Sequence, residues 1–338
     1  METRLPGRYA RLAVLGHGGG GQVWAVRDRL TNKTVALKAL AEGASEREVD
    51  ALVREAVALS GLEGLGFPRV LRFGRLPETR RAYMVRELVQ GESLAALLER
   101  VSPDPRVSLG AVARAADQLT GLHRAGLLHG DVKPANIIVE GDGGATLVDL
   151  GLAAPWREGG TRPEGLTPQY AAPELFAGLP LTVRAEIYAL GATLAEVLDR
   201  CAAQLEPHTS EELRAIASRA THEDPSSRYP SADELASALR QAARVRMPDE
   251  GFAADAAWAV VGLDGPANLM LSKLASLPAG AVLALEGKHG SGRTVLVRRA
   301  AWTLGVEGRE VAWIEQQATL PVMDALELEL GSLESDAG

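Results

Sequence analysis

The hydrophobic pattern changes its period near residue 92, and this change constrains the fold more than any other feature of the sequence. Between Tyr9 and Leu40, apolar residues alternate in three short runs separated by Gly and Asn, which is typical of an antiparallel meander of strands. Beyond Leu109, most runs repeat their apolar residues every three to four positions, which predicts helices. The sequence therefore predicts an α+β chain with a strand-rich first part and a helical second part.

The first part also contains helices, and the second part also contains short strands. In the first part, Ser45 and Glu48 have the spacing of a capping box and open an amphipathic helix. Residues 69–74 and 82–88 return as strands, and 92–100 form a short helix. In the second part we expect helices over 109–125 and 183–200, another that begins after Ser231, and two short strands at 136–140 and 145–150.

Composition excludes several classes of protein. The length of 338 residues is typical of about two domains, and the net charge of −8 gives no reason to expect binding to nucleic acid or to an anionic membrane. The chain has one cysteine, Cys201, which excludes an internal disulfide framework. The N-terminus lacks the apolar core of a signal peptide, and no apolar run is long enough for a membrane helix. We therefore expect a cytoplasmic protein.

A glycine-rich run and a lysine point to phosphate binding. The run "GHGGGGQV" contains Gly16, Gly18, Gly21 and Val23, and glycines allow backbone N–H groups to approach phosphate oxygens closely. Only five of the 36 basic residues are lysines. One of these, Lys38, follows on the third predicted strand, and Glu55 on the predicted helix can pair with it.

A second cluster lies in "HGDVKPAN", where His129, Asp131, Lys133 and Asn136 follow the spacing H-x-D-x-x-x-x-N, and Asp149 follows in "DLG". With the glycine-rich run, Lys38 and the downstream "TPQYAAPE", this sequence resembles the eukaryotic-like Ser/Thr protein kinases, the Hanks type of bacteria. The resemblance covers residues 9 to 244. It implies a bilobal kinase fold, with a β-rich small lobe over residues 1–92 and a helical large lobe over 93–245.

The resemblance also implies roles for these residues. Lys38, held by Glu55, would contact the phosphates of ATP. Asn136 and Asp149 would ligate Mg²⁺, for which Mn²⁺ is an alternative, because hard oxygen ligands suit such ions. Asp131 would accept the proton of the attacking hydroxyl, and Lys133 would neutralise charge on the γ-phosphoryl group. The nucleotide would be bound by the glycine-rich run and by the hinge residues, namely Gly16, Gly18, Gly21, Val23, Lys38, Glu87 and Val89.

Other positions relate to the activation segment or depart from the family pattern. Thr167 is expected near Asp131 and Lys133, and Glu174 is expected to pair with Arg228. Three residues depart from the pattern. Gly130 replaces the usual arginine before the catalytic Asp, which puts dependence on activation-segment phosphorylation in doubt. Glu186 replaces the Asp that holds the catalytic loop, and Arg86 stands behind the adenine position, where Met, Leu or Thr is usual.

The C-terminal residues 263–338, after a linker at 246–262, contain a second glycine-rich motif. "GKHGSGRT" resembles a P-loop through Gly287, Gly292 and Thr294, with Arg293 in place of the lysine. A predicted strand at 281–286, a following helix and a second strand at 310–316 favour a partial α/β P-loop NTPase-like segment that binds nucleotide. The alternative is a glycine-rich turn without a ligand.

Together these features predict an enzyme that transfers the γ-phosphoryl group of Mg·ATP to Ser or Thr hydroxyls of protein substrates in cytoplasmic signalling, with autophosphorylation as one outcome. A pseudokinase that binds nucleotide as a scaffold is one alternative. The other is a small-molecule phosphotransferase, since "HGD" followed by Asn also occurs in proteins similar to aminoglycoside and choline kinases. The intact set of charged residues argues against the first, and "TPQYAAPE" argues against the second.

Overall fold

The computed structural model describes residues 4–18, 21–60, 62, 66–141, 143–155, 165–244, 264–278, 281–287, 293, 296–297, 300 and 304. Two compact units make up the chain. The first comprises residues 1–61, 68–88 and 260–338, and the second comprises residues 62–67 and 89–259. The strand-rich part of the sequence falls in the first unit and the helical part in the second, as predicted.

The first unit contains a five-stranded antiparallel sheet. Its strands are β1 (Tyr9–Gly18), β2 (Gly21–Asp28), β3 (Thr34–Ala39), β4 (Val70–Arg75) and β5 (Ala82–Glu87), in the order β1-β2-β3-β5-β4. Helix α1 (Glu46–Ser60) follows β3. The predicted capping box forms, because the Ser45 Oγ accepts from the Glu48 N–H while Glu48 accepts from the Ser45 N–H at 2.8 Å. The predicted meander and helix are confirmed.

Alternation along the strands gives this sheet two different faces. One face forms an apolar core around Trp24, Leu37 and Val85, each no more than 1% exposed. The opposite face presents Lys38 of β3, which lies opposite Met84 of β5 and Val23 of β2. Lys38 therefore lies on the face opposite this apolar core.

The second unit is mainly helical. Its helices are α2 (Leu94–Leu98), α3 (Pro105–Arg124), α4 (Pro173–Phe176), α5 (Val183–Cys201), α6 (Pro207–Ala220) and α7 (Ala232–Ala243). Strands β6 (Glu92–Ser93), β8 (Ile137–Val139) and β9 (Ala145–Leu147) form one small sheet, and β7 (Leu127–Leu128) pairs with β10 (Ala154–Pro155). Helix α3 begins four residues before the predicted start, because Asp104 caps it and Pro105 occupies its first turn.

Helix α5 is the central element of the second unit. Its residues are buried on several sides, including Ile187, Leu190 and Leu194. Gly191 allows α6 to approach, since a Cβ at this position would lie 2.5 Å from the Cβ of Ala220. The helix that was predicted to be apolar nearly all round is thus a buried core helix, and it provides a rigid base for the loops described below.

The C-terminal residues give one correction. Helix α8 spans Asp264–Ser276, but residues 281–287 form no strand. The predicted strand at 281–286 is wrong, because most of these side chains are exposed, Val282 by 87%, whereas the strand before a P-loop is buried in a parallel sheet. The predicted linker at 246–262 and the predicted strand at 310–316 lie wholly outside the described residues. No helix in the described part of the chain has the length and hydrophobicity of a membrane span.

Candidate active site

The glycine-rich run forms the hairpin between β1 and β2, with Gly18 opposite Gly21. Gly21 has φ +127, and a Cβ there would lie 2.1 Å from the carbonyl oxygen of Ala39. Only glycine fits this position, because the backbone of β3 passes so close. Gly16 lies in β1 opposite Val23, and a Cβ at Gly16 would meet nothing within 4 Å. The space beside Gly16 leaves its backbone accessible to a ligand.

Lys38 and Glu55 form an ion pair in the first unit. The Lys38 Nζ lies 2.7 Å from the Glu55 Oε2, and the Glu55 side chain is 1% exposed whereas that of Lys38 is 20% exposed. Glu55 lies on the buried side of α1, together with Leu52 and Ala56. The predicted pair is confirmed. The carboxylate holds the ammonium group in place through a charge-assisted hydrogen bond.

The predicted hinge residues lie at the end of β5. Glu87 is the last residue of this strand, and its carboxylate accepts hydrogen bonds from the backbone N–H of Arg69 at 3.0 Å and from its Nε at 2.8 Å. The backbone N–H of Glu87 donates to the carbonyl oxygen of Arg69 at 2.9 Å. Val89 is half-buried and lies in irregular backbone two residues later. The Arg69 bonds were not predicted, and they fix the backbone where the hinge begins.

In the second unit, Asp131, Lys133 and Thr167 form a compact polar cluster. The Lys133 Nζ lies 2.6 Å from the Asp131 Oδ2 and donates to the Thr167 Oγ1 at 3.0 Å. The Thr167 hydroxyl donates to the Asp131 Oδ1 at 2.7 Å. The predicted proximity of Thr167 is confirmed. This carboxylate already accepts a hydrogen bond from an aliphatic hydroxyl beside an ammonium group, which is the arrangement that general-base activation of a hydroxyl requires.

Asn136 and Asp149 offer oxygen ligands to a metal ion. The Asn136 Nδ2 donates to the Asp131 carbonyl oxygen at 2.8 Å and to its Oδ2 at 3.1 Å. Since Nδ2 makes both bonds, Oδ1 is the atom of this side chain that remains for a cation. Asp149 has φ +69, a conformation that Asp tolerates better than most residues. An amide oxygen and a carboxylate fit Mg²⁺, which prefers few protein ligands together with phosphates and water.

His129 holds the catalytic loop from below. Its ring is fully buried, its Nδ1 accepts from the N–H of Asp131 at 3.2 Å, and its Nε2 lies 3.2 Å from the Val148 carbonyl oxygen. An accepting Nδ1 and a donating Nε2 describe the neutral imidazole. Burial lowers the pKa of His129 below its usual value, and it outweighs the nearby carboxylates, chiefly Glu186. The ring therefore acts as a neutral strut.

Glu186 connects α5 to the same loop. Its Oε1 accepts from the N–H of Gly130 at 2.6 Å, and its Oε2 lies 2.7 Å from the Nε2 of His123 on α3. Gly130 has φ +85, and a Cβ there would lie 2.3 Å from the carbonyl oxygen of Leu152. An arginine cannot take this backbone position without strain. Glutamate thus holds the loop in spite of its extra methylene.

The predicted pair of Glu174 and Arg228 forms with bidentate geometry. The Arg228 Nη1 and Nη2 donate to the two carboxylate oxygens at 2.7 and 2.8 Å, and the arginine side chain is fully buried. Close by in sequence, the Tyr170 hydroxyl donates to the Glu196 Oε2 on α5 at 2.5 Å. No sequence signal predicts the tyrosine contact, because its partners are 26 residues apart. Both interactions anchor the segment that follows Thr167 to the helical core.

The C-terminal motif is described only in part. Gly287 and Arg293 are exposed, and Arg293 lies in a helical position. Gly292 and Thr294 lie outside the described residues. The nucleotide-binding role of these four residues stays a prediction.

Comparisons with known proteins agree with this geometry. A family model described as "Protein kinase domain" matches residues 9–243. The chain is 35% identical over 204 residues to the DNA damage-responsive serine/threonine-protein kinase RqkA of Deinococcus radiodurans, over 58% of this chain and 30% of that protein. It is 36% identical over 214 residues to the serine/threonine-protein kinase PkaB of Streptomyces coelicolor, over 59% of this chain and 50% of that protein.

A third relative matches over a longer stretch at lower identity. The serine/threonine-protein kinase PknA of Corynebacterium glutamicum is 27% identical over 322 residues, over 86% of this chain and 68% of that protein. The chain thus spans half or less of the length of RqkA and PkaB, and about two thirds of this PknA. Because the family match covers more than half of the chain and includes both polar clusters, the chain belongs to the protein kinase domain family.

Proposed function

We propose that this chain is a serine/threonine protein kinase that uses ATP and a divalent cation. The observation that carries the proposal is the cluster at Asp131, whose carboxylate accepts from the Thr167 hydroxyl at 2.7 Å and lies 2.6 Å from the Lys133 ammonium. A base, a hydroxyl and a compact cation within hydrogen-bond distance are what phosphoryl transfer to an alcohol needs. The names of the relatives support the choice of Ser and Thr as acceptors.

The residues divide the chemistry between charge neutralisation and proton acceptance. In the first unit, Lys38 would bind the phosphates, and its ion pair with Glu55 keeps the ammonium group oriented. In the second unit, Asp131 would orient the acceptor hydroxyl and take its proton, and Lys133 would stabilise the negative charge of the transferred group. Mg²⁺, when bound by Asn136 and Asp149, would neutralise charge on the phosphate oxygens.

Features next to Asp131 favour a polypeptide acceptor over a small metabolite. The Asp131 carboxylate lies beside apolar side chains that include Leu166, Leu175 and Leu181, which lie next to Thr167 in the chain or after it. The buried ion pair of Glu174 and Arg228 anchors the segment that follows Thr167. The relatives are named as serine/threonine-protein kinases, so we infer protein substrates, including the chain itself.

Transfer of radiolabel from γ-labelled ATP in Mg²⁺ tests the proposal. The wild type should label itself and a generic acceptor such as myelin basic protein, with the label on Ser or Thr after acid hydrolysis. Asp131→Asn and Lys38→Met should each reduce the rate roughly 10²-fold or more. Lys33→Met is the matched control, because Lys33 is an exposed lysine in the same sheet region. Nucleotide binding without transfer by the wild type would favour the scaffold function instead.

The P-loop-like segment at 263–338 and the domain bounds stay predictions. The position of Arg293 in a helix agrees with a P-loop, whereas the irregular residues 281–287 do not. Calorimetric titration with ADP separates the two possibilities by stoichiometry. Two nucleotides per chain, reduced to one by Arg293→Ala, would support a second site, and one nucleotide in both proteins would contradict it.

A further inference from the structure

Arg86 is a cation for which the described part of the chain supplies no partner. It lies in β5 opposite Ala36 of β3 and Val70 of β4, and its Nε is sealed from solvent without a hydrogen-bond partner. Three other arginines have a buried Nε without a partner, but each of these makes another polar contact, as Arg240 does with Asp117. A half-buried guanidinium group without a partner is costly, which suggests that a ligand completes its hydrogen bonds.

The position of Arg86 in the sheet indicates what kind of ligand this is. Residues 36 and 38 of β3 share a face, and so do residues 84 and 86 of β5, with Lys38 opposite Met84 and Ala36 opposite Arg86. Arg86 thus lies on the same face as Lys38, two residue pairs farther along the strands, which corresponds to roughly 7 Å. It also directly precedes Glu87, the first residue of the predicted hinge. The nearest moiety of a bound nucleotide would be the base rather than the phosphates.

Purine bases differ at the atom that would face such a residue. Adenine presents the N7 acceptor beside a 6-amino donor, whereas guanine and hypoxanthine present N7 beside a 6-oxo acceptor. The guanidinium group has five N–H donors and no acceptor. It can therefore donate two parallel hydrogen bonds to a 6-oxopurine, but it opposes the amino group of adenine. We propose that Arg86 is a specificity-determining residue that recognises the 6-oxo group, so that the chain uses GTP and ITP as phosphoryl donors beside ATP.

This inference rests on the proposed kinase function, and the first experiment uses the wild type alone. Values of kcat/KM are measured for ATP, GTP and ITP with one protein acceptor and saturating Mg²⁺. GTP and ITP should each be within about ten-fold of ATP. ITP lacks the 2-amino group of GTP, so a high value for ITP as well as GTP assigns the effect to the 6-oxo group.

Replacement of the arginine then tests its role. Arg86→Met should lower the ratio of GTP or ITP to ATP roughly ten-fold or more, the size expected for the loss of one bidentate base contact. The same variant should raise kcat/KM for ATP, because the guanidinium group no longer opposes the amino group of adenine. Arg27→Met is the matched control, because Arg27 is exposed on β2 of the same sheet, and it should leave the ratio unchanged.

Equilibrium binding of ADP, GDP and IDP keeps the test independent of catalysis. Failure of the wild type to transfer phosphate from any donor would refute the proposed function, but a preference for GDP and IDP that Arg86→Met removes would still support the assignment of Arg86. Binding of ADP alone by the wild type, or equal base ratios in the wild type and Arg86→Met, would overturn the inference. Arg86→Lys keeps the charge without the planar fork and should retain only part of the preference.

Discussion

Replacement of Arg228 by methionine should destabilise the chain more than any exposed substitution. All five N–H groups of this guanidinium are bonded: to the Glu174 carboxylate at 2.7 and 2.8 Å, and to the carbonyl oxygens of His222, Arg184 and Glu223 at 2.8, 3.0 and 3.1 Å. The arginine side chain is 0% exposed and that of Glu174 is 10% exposed. Arg228→Met leaves a buried carboxylate and three carbonyl oxygens without these donors.

The expected magnitude follows from this enclosure. Removal of one partner from a buried ion pair costs about 3–5 kcal/mol of the free energy of unfolding. For a domain of this size, each kcal/mol lowers Tm by about 2–4 °C, so Tm should fall by roughly 6–20 °C. Glu174→Gln should cost less, because the amide oxygen still accepts one of the two hydrogen bonds.

Urea unfolding followed by circular dichroism measures the effect. The matched control is Arg214→Met, since Arg214 pairs with Asp199 at 3.4 Å with side chains 51% and 71% exposed, and such pairs contribute less than about 1 kcal/mol. The double variant Glu174→Gln/Arg228→Met should cost less than the sum of the single variants, because the two residues interact directly. If Arg228→Met loses no more stability than Arg214→Met, the reasoning about the buried pair is wrong.

Three further predictions concern other sites of the second unit. Gly130→Ala should destabilise the protein and slow phosphoryl transfer more than Gly126→Ala does. Both residues have positive φ, but only at Gly130 would a Cβ meet a backbone oxygen, that of Leu152 at 2.3 Å. Equal effects of the two variants in urea unfolding and kinase assays would contradict the steric explanation. Because burial holds the pKa of His129 below its unfolded value, the folded state binds fewer protons, so this group's stabilisation is complete above pH ~6.5 and is lost as pH falls from there towards its folded pKa. Urea unfolding at pH 7.5 and 5.5 should show a loss in the wild type that His129→Gln reduces. Cys201 is fully buried, and burial raises the pKa of its thiol, so a thiol-reactive chromogenic disulfide should react with it only after unfolding; rapid reaction of the native chain would show that α5 opens.

The two polar clusters show which contacts could be predicted from sequence patterns. The spacing from Gly16 to Lys38 is local, and two hairpins bring the residues together, with Val23 opposite Lys38 in the register. The contact of Lys38 with Glu55 could also be predicted, because the family resemblance supplies a partner that periodicity alone would not. The roles of these residues in binding ATP stay predictions until transfer is measured.

Other contacts had no sequence signal. Glu186 contacts His123 across 63 positions and Gly130 across 56, and these contacts depend on how α3 and α5 pack. The prediction of a strand at 281–286 was wrong for a related reason. Residues 281–285 form a continuous apolar run, but a strand also needs a neighbouring strand to accept its backbone hydrogen bonds. The local pattern carries no information about that neighbour.

Sequence patterns alone were enough to predict the main strands and helices over residues 9–244, the capping box at Ser45 and the charged residues of the two polar clusters, because these depend on side-chain periodicity and on neighbours within a few positions. Three outcomes depend on tertiary packing: Glu186 replaces aspartate without releasing the loop, Gly130 excludes the usual arginine, and the Arg86 Nε has no hydrogen-bond partner among the described residues. These outcomes depend on small differences in the distances between elements that are far apart in the chain. Close packing sets such distances, and no local pattern encodes them.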